Sequence, residues 1–201
     1  DHHRAASKEY RYEERRTGMT QWGADQVTDL VGPLPLRHLD LGHRRIACVS
    51  GPKTLLPSGD RVSGYLRALK EASIDFNSDY LAHSDFTSQG GFSAFQQLLA
   101  LPDRPTAIFA SNDLMAIGGL CAAQQAGVRI PEELSVIGYD DIALASFSTP
   151  PLTTIAQPKY EIGVLTARVL VNRIVNAELP LRREMLETKL TVRQSTGPAP
   201  A

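Results

Sequence analysis

No stretch of this 201-residue chain approaches the ~18 uninterrupted apolar residues that a membrane-crossing helix needs, so no span is expected. Charge of either sign is not in surplus: 21 Lys and Arg stand against 22 Asp and Glu, a formal net charge of −1. A domain that grips nucleic acid by its backbone needs a concentrated positive surface, which this balance does not supply. The amino end is highly charged and has no apolar central region, unlike a secretory signal. The 15 glycines and 13 prolines follow no repeating period, which excludes collagen-like and low-complexity architecture. Cysteine is scarce. Cys48 and Cys121 sit inside apolar strand-like and helix-like runs and read as two buried free thiols in a reducing cytoplasm, with one structural disulfide as the alternative. Neither has a second Cys or His at ligand spacing, so no zinc site is expected. His2-His3 reads as the tail of an affinity tag, or as a metal-binding pair.

Motifs of catalysis are missing as well. No G-x-x-x-x-G-K-[ST] or G-x-G-x-x-G follows any apolar run, and Ser50-Gly51-Pro52 resembles a phosphate loop only loosely. No G-x-S-x-G is present to form a nucleophile elbow. Asp140-Asp141 are adjacent, so their side chains point in different directions and do not make an acid–base pair. His43 and His83 have no Cys or Ser marked as a partner by local sequence. Catalysis is therefore not expected, and no cofactor or metal is called for.

What is present from Arg45 onward is regular. Ile46-Ala47-Cys48-Val49 is a short apolar run closed by Ser-Gly-Pro, as a buried strand ending in a loop would be. Helical spacing follows over 58–72, with Val62, Tyr65, Leu66 and Leu69 on one face. A strand near 80–83 precedes a helix over 88–101, and a strand at 106–110 precedes a helix over 112–126 ended by Gly127. A strand at 134–138, a short helix from Asp141, a strand at 152–156, a long helix over 160–176 and an alternating strand at 185–193 complete the pattern. Short strands apolar throughout, alternating with amphipathic helices, predict an α/β doubly wound parallel sheet covered on both faces. Before residue 45 the order fades: Gly32-Pro33-Leu34-Pro35 interrupts any helix over 22–41, and residues 197–201 read as a loose tail.

Ligands of such sheets bind outside the carboxyl ends of the strands. The polar residues predicted there are Arg61, Asp85 with Phe86, Asn112 with Asp113, Asp140 with Asp141, and Gln157. A planar Arg fork, a carboxylate, amides and an aromatic face are what a polyhydroxylated small molecule requires. Each also has a plainer reading. Asp85, Asn112 and Asp141 make good N-caps, Arg61 suits a surface ion pair, and Phe86 suits the core. Asp140 and Gln157 are not needed by turn chemistry.

Six runs then stand out: Leu-Gly-His-Arg-Arg-Ile-Ala (41–47), Arg-Val-Ser-Gly-Tyr (61–65), Ser-Asn-Asp-Leu-Met-Ala (111–116), Ile-Pro-Glu-Glu-Leu-Ser-Val-Ile-Gly-Tyr-Asp-Asp (130–141), Pro-Pro-Leu-Thr-Thr-Ile (150–155) and Val-Arg-Gln-Ser-Thr (192–196). Over about residues 40–197 they resemble the lactose-repressor (LacI/GalR) family. The resemblance implies the type I periplasmic-binding-protein-like fold, in which two α/β lobes close on a small molecule and alter how a homodimer presents DNA-binding heads. By position, Arg61 would clamp ligand hydroxyls or a carboxylate, Asp140 would accept hydrogen bonds, Asn112 and Gln157 would add polar contacts, and Phe86 would stack on a sugar ring. It also implies a cytoplasmic, bacterial regulator of transcription that senses a sugar-type effector. The alternatives are a solute-binding protein for sugar uptake and a non-sensing dimerisation fragment.

Departures from the family are expected to matter. No amphipathic pair with a basic recognition helix precedes residue 40, so operator DNA would be bound only through a helix-turn-helix absent from this chain, and the chain reads as truncated at its amino end. The expected division is an irregular remnant of the first lobe at 1–44, the complete carboxyl lobe at 45–154, a crossover helix of the first lobe at 155–187, and a final strand and tail at 188–201. That helix would present Ile162, Leu165, Val169, Leu170 and Ile174 as an apolar stripe, expected to be covered by residues 19–41, by oligomerisation or by rearrangement.

Overall fold

The structure, a computed structural model, describes residues 33–178 and 186–200. Among these residues six strands form one sheet: β1 (Ile46–Ser50), β2 (Leu81–His83), β3 (Ala107–Ala110), β4 (Ser135–Asp140), β5 (Thr153–Ala156) and β6 (Lys189–Thr191). Their order across the sheet is β2-β1-β3-β4-β5-β6, parallel throughout except that β6 runs antiparallel to β5. Among the described residues five α-helices accompany them: α1 (Pro33–Asp40), α2 (Leu56–Glu71), α3 (Ser88–Leu99), α4 (Asp113–Gln125) and α5 (Lys159–Val175).

Every residue of β1 and β3 is buried, because side chains alternate between two covered faces. Ala47, Val49, Ile108, Ala110 and Val136 point into one core layer with Phe95, Leu98, Met115 and Leu120 of α3 and α4. Ile46, Cys48, Phe109, Ile137 and Tyr139 point into the other with Val62, Tyr65 and Leu69 of α2. Tyr65 is wholly buried, and its hydroxyl donates to the Ile46 carbonyl at 2.8 Å. The helix-sandwiched parallel sheet is thus present as the apolar strands predicted.

Helices α3 and α4 meet backbone to backbone. A Cβ built on Gly91 would overlap the Met115 backbone, and one on Gly118 would overlap the Ser88 carbonyl oxygen. Backbone atoms have no rotamer in which to retreat. Gly118→Ala is therefore expected to force the pair apart and destabilise the domain by about 1–3 kcal/mol, the usual cost of overpacking a filled core. Urea unfolding of the two proteins measures it; equal midpoints would show that the helices have slack.

Several expectations change on folding. The prolines open a helix instead of interrupting one: α1 begins at Pro33, where the missing N–H costs nothing because first-turn amides have no intrahelical acceptor. It ends at Gly42, with φ +86°, where the Gly42 and His43 amides return to the Leu39 and His38 carbonyls. Residues 33–44, expected to be irregular, are thus ordered against the lobe. The tail is tied down as well: the Ala199 amide donates to the Leu41 carbonyl at 2.8 Å, and Ser195 is fully buried. Strand β6 is shorter than the predicted 185–193. Both cysteines are free, but only Cys48 is buried; Cys121 lies exposed on α4.

His43 finds its partners far along the chain. Its Nδ1 lies 3.0 Å from the Thr106 hydroxyl, and its Nε2 lies 3.0 Å from the Ser135 hydroxyl and 3.1 Å from the Gly197 carbonyl. A carbonyl only accepts, so Nε2 carries the proton and donates to Gly197. The serine here is a structural tie in a buried site, joining the tail to β4. None of the residues of α5 is buried; Ile174 and Val175 are 75% and 82% exposed. Residues 37–41 therefore leave its apolar side chains uncovered, while 19–32, His2-His3 and the rest of the amino end lie outside the described residues.

Candidate functional site

A parallel sheet brings the carboxyl ends of its strands to one edge, and the five expected residues are distributed along it. Arg61 stands in α2 after β1, Phe86 follows β2, Asn112 follows β3, Asp140 ends β4 and Gln157 follows β5. Hydrogen bonds and close contacts join Arg61, Asp140 and Gln157 in one group and Asn112 and Phe86 in another.

Arg61 is the centre of the set. Its Nη1 donates to the Ser111 carbonyl at 2.8 Å, and its guanidinium lies 4.0 Å over the centroid of the Tyr139 ring. Stacking and the carbonyl bond together fix the plane of the fork. Nη2 stands 4.0 Å from Asp140 Oδ1, longer than a hydrogen bond, so both charged groups retain capacity for a third partner. Asp140 Oδ1 accepts from Gln157 Nε2. Burial pushes the Asp140 carboxyl above the usual carboxylate range, opposed by Arg61, Gln157 and Lys159. Burial raises the Tyr139 phenol similarly, opposed by Arg61.

The other flank is held by Asn112. Its Oδ1 accepts from the Met115 amide at 2.9 Å, capping α4, and its Nδ2 donates to the Phe86 carbonyl at 2.9 Å. One amide hydrogen is left for any further contact. Phe86 has φ +67° and lays its ring over Gly51, where a Cβ would overlap it. Half-buried, it packs on the core with one part and lines the rim with another.

The remaining acidic residues divide. Asp85 is not the cap of α3; that role belongs to Thr87, whose hydroxyl accepts from the Gly90 amide at 3.0 Å. Asp85 instead accepts from the Thr87 hydroxyl and amide, which hold its carboxyl below its ordinary range. Asp141 caps nothing and pairs with Arg193 at 2.7 Å. Sequence reasoning missed Tyr139 beneath Arg61, the Ser111 carbonyl, Thr154 and Arg193. Two threonines in an otherwise apolar strand, Thr153 and Thr154, were the available signal. No cluster of three or more potential metal ligands occurs among the described residues. Nor is any described helix long and apolar enough to cross a membrane.

These features define a doubly wound α/β lobe: a covered parallel sheet whose carboxyl edge carries a braced cation, a facing carboxylate, amides and an aromatic ring. Residues 37–196 match the periplasmic binding protein-like domain. The ribose operon repressor of Escherichia coli K12 is 44% identical over 194 residues, 92% of this chain and 59% of that protein. The HTH-type transcriptional repressor CytR of the same strain is 42% identical, over 79% of this chain and 47% of that one. Among solved structures, the transcriptional regulator CelR–cellobiose complex has 35% identity and a TM-score of 0.78, covering 86% of this chain and 52% of that chain. The dimeric Lac repressor with an 11-residue C-terminal deletion has 29% identity and the same TM-score of 0.78, covering 89% and 63%. The chain belongs to the periplasmic binding protein-like domain family, in its branch of LacI-type transcriptional regulators. It spans 59% and 47% of the two repressors named above.

Proposed function

We propose that this chain is the effector-sensing part of a transcription regulator, binding a small polyhydroxylated molecule of the sugar class without transforming it. The observation that carries this is the facing of Arg61 and Asp140 at 4.0 Å, each braced by other groups and neither saturated by its partner. Adjacent hydroxyls of a sugar can donate to the carboxylate and accept from the guanidinium at once. Gln157 and the free Asn112 amide hydrogen add polar contacts, and the Phe86 ring covers an apolar sugar face. In this reading the lobe forms one wall of a cleft, a second lobe the other, and closure alters a homodimer that meets operator DNA in the cytoplasm through separate heads. The matched relatives are repressors, which favours a regulator over an uptake protein.

Calorimetric titration of the chain against pentoses, hexoses, disaccharides, sugar phosphates and purines tests the reading. Saturable heat with at least one of them is the expected result. No response across the panel would count against sensing and in favour of a dimerisation scaffold.

A further inference from the structure

The rim described above depends on a turn that the sequence makes improbable. Asp140 and Asp141 have φ of +113° and +52°, a region that favours glycine, yet neither is one. Such a backbone persists only where its surroundings hold it. One support reaches the turn from inside the fold. Asp113, the first residue of α4, is fully buried; its Oδ2 accepts from the Ile142 amide at 2.9 Å, and its Oδ1 accepts from the Thr154 hydroxyl of β5. A Cβ on Gly138 of β4 would overlap Asp113 Oδ1, so the strand leaves space where that oxygen sits.

We propose that Asp113 is a positioning residue for the ligand rim: it fixes the turn from which the Asp140 carboxylate projects, without touching the ligand. This rests on the reading of the rim as a small-molecule site. The same α4 terminus serves both flanks, since Asn112 holds the Phe86 carbonyl while Asp113 holds the turn beyond Asp140. Outer ties exist at Asp141, where Arg193 pairs with the side chain at 2.7 Å and Lys159 donates to the carbonyl at 3.1 Å. They grip the side chain and carbonyl of Asp141, whereas Asp113 takes up the backbone amide that follows.

Stability gives little reason for an acid at this position. Burial pushes the Asp113 carboxyl up to about 6, with the charges of Asp140 and Asp141 adding to the rise and the Thr154 and Ile142 hydrogen bonds opposing it. The charged groups about the turn are Asp140 and Asp141 themselves, Arg61 facing Asp140, and Arg193 and Lys159 on Asp141. A protonated Asp113 is a weaker acceptor for two donors than the carboxylate, so the turn loosens on acidification.

The test uses the whole chain with Asp113→Ala and Asp113→Asn. Hydrogen exchange of the Ile142 amide is read without ligand, and the affinity for D-ribose is read by calorimetry from pH 5 to 8. Expected for Asp113→Ala is at least tenfold faster Ile142 exchange, with β1 and β3 amides still protected, and at least tenfold weaker ribose binding. The unmodified chain is expected to lose affinity below pH 6, and Asp113→Asn, which keeps one acceptor, is expected to recover part of both effects and to flatten that loss. Ile142 exchange unchanged in both variants overturns the proposal. So does ribose affinity within twofold of the unmodified chain in both, with the same pH profile. Faster Ile142 exchange in a chain that binds neither ribose nor any other compound of the panel supports the tether and instead tells against the reading of the rim.

Discussion

Arg61→Ala is expected to remove effector binding almost completely while leaving the domain folded. The guanidinium is half-buried, stacked on Tyr139 and bonded to the Ser111 carbonyl, so its fork is oriented before any ligand arrives. Hydrogen bonds to charged groups contribute roughly 1.5–3 kcal/mol each, and loss of two such bonds corresponds to about a hundredfold or more in affinity. Arg61→Lys is expected to recover little, since an ammonium neither stacks as a plane nor offers two parallel donors. Asp140→Ala is expected to match the effect of Arg61→Ala, because the two groups face the same space. Calorimetry with whichever compound binds the unmodified chain, alongside urea unfolding of each variant, makes the comparison. Binding within threefold in Arg61→Ala, with the fold intact, would remove this residue from the site.

The second large effect is in stability and follows from His38. This ring is fully buried, neither nitrogen has a hydrogen-bond partner among the described residues, and it meets His43 edge-on with centroids 5.7 Å apart. Burial, His43 and Arg37 push its pKa down from 6.5 to about 3. His43 is lowered too, chiefly by burial. A folded-state pKa below the unfolded one means that stability is complete above pH 6.5 and is lost as pH falls toward the folded value. The loss is roughly 1.4 kcal/mol per pH unit for such a group. Asp113 acts with the opposite sign: raised from 3.8 to about 6, it favours the fold as pH falls through that interval. The total pH profile therefore mixes both, and the variant His38→Leu separates them. Leucine fills a similar space without an unsatisfied polar atom, so this variant is expected to equal or exceed the unmodified chain at pH 7. At pH 4.5 its advantage is expected to grow by about 2–3 kcal/mol. Urea midpoints at the two pH values give the answer; an advantage that does not grow would mean that the ring is hydrated or paired in acid.

Much of the architecture was legible in one dimension because burial on both faces of a parallel sheet leaves strands apolar at every position, as at 46–49 and 107–110. Helix α4 was equally legible, with Asn112 read as a cap and Gly127 as a stop. The prolines at 33 and 35 misled because the same residue that breaks a helix interior is tolerated in its first turn, and only the position of the start distinguishes the two. Asp85 misled in a similar way. It shares its capping chemistry with Thr87, and the chain path decided which of them closed α3.

The candidate rim divides along the same line. Sequence by itself determined which residue types would stand at the strand ends, since strand-then-helix order in a parallel sheet puts every such end on one edge. Their relations needed three dimensions. That Arg61 lies over Tyr139 and faces Asp140, that Asn112 is occupied by a cap and the Phe86 carbonyl, and that His43 binds groups 63, 92 and 154 residues away are outcomes of packing. Local periodicity carries the preferences of neighbours a few residues apart. Hydrogen bonds between distant segments depend on strand order and register, which form only when the whole core closes.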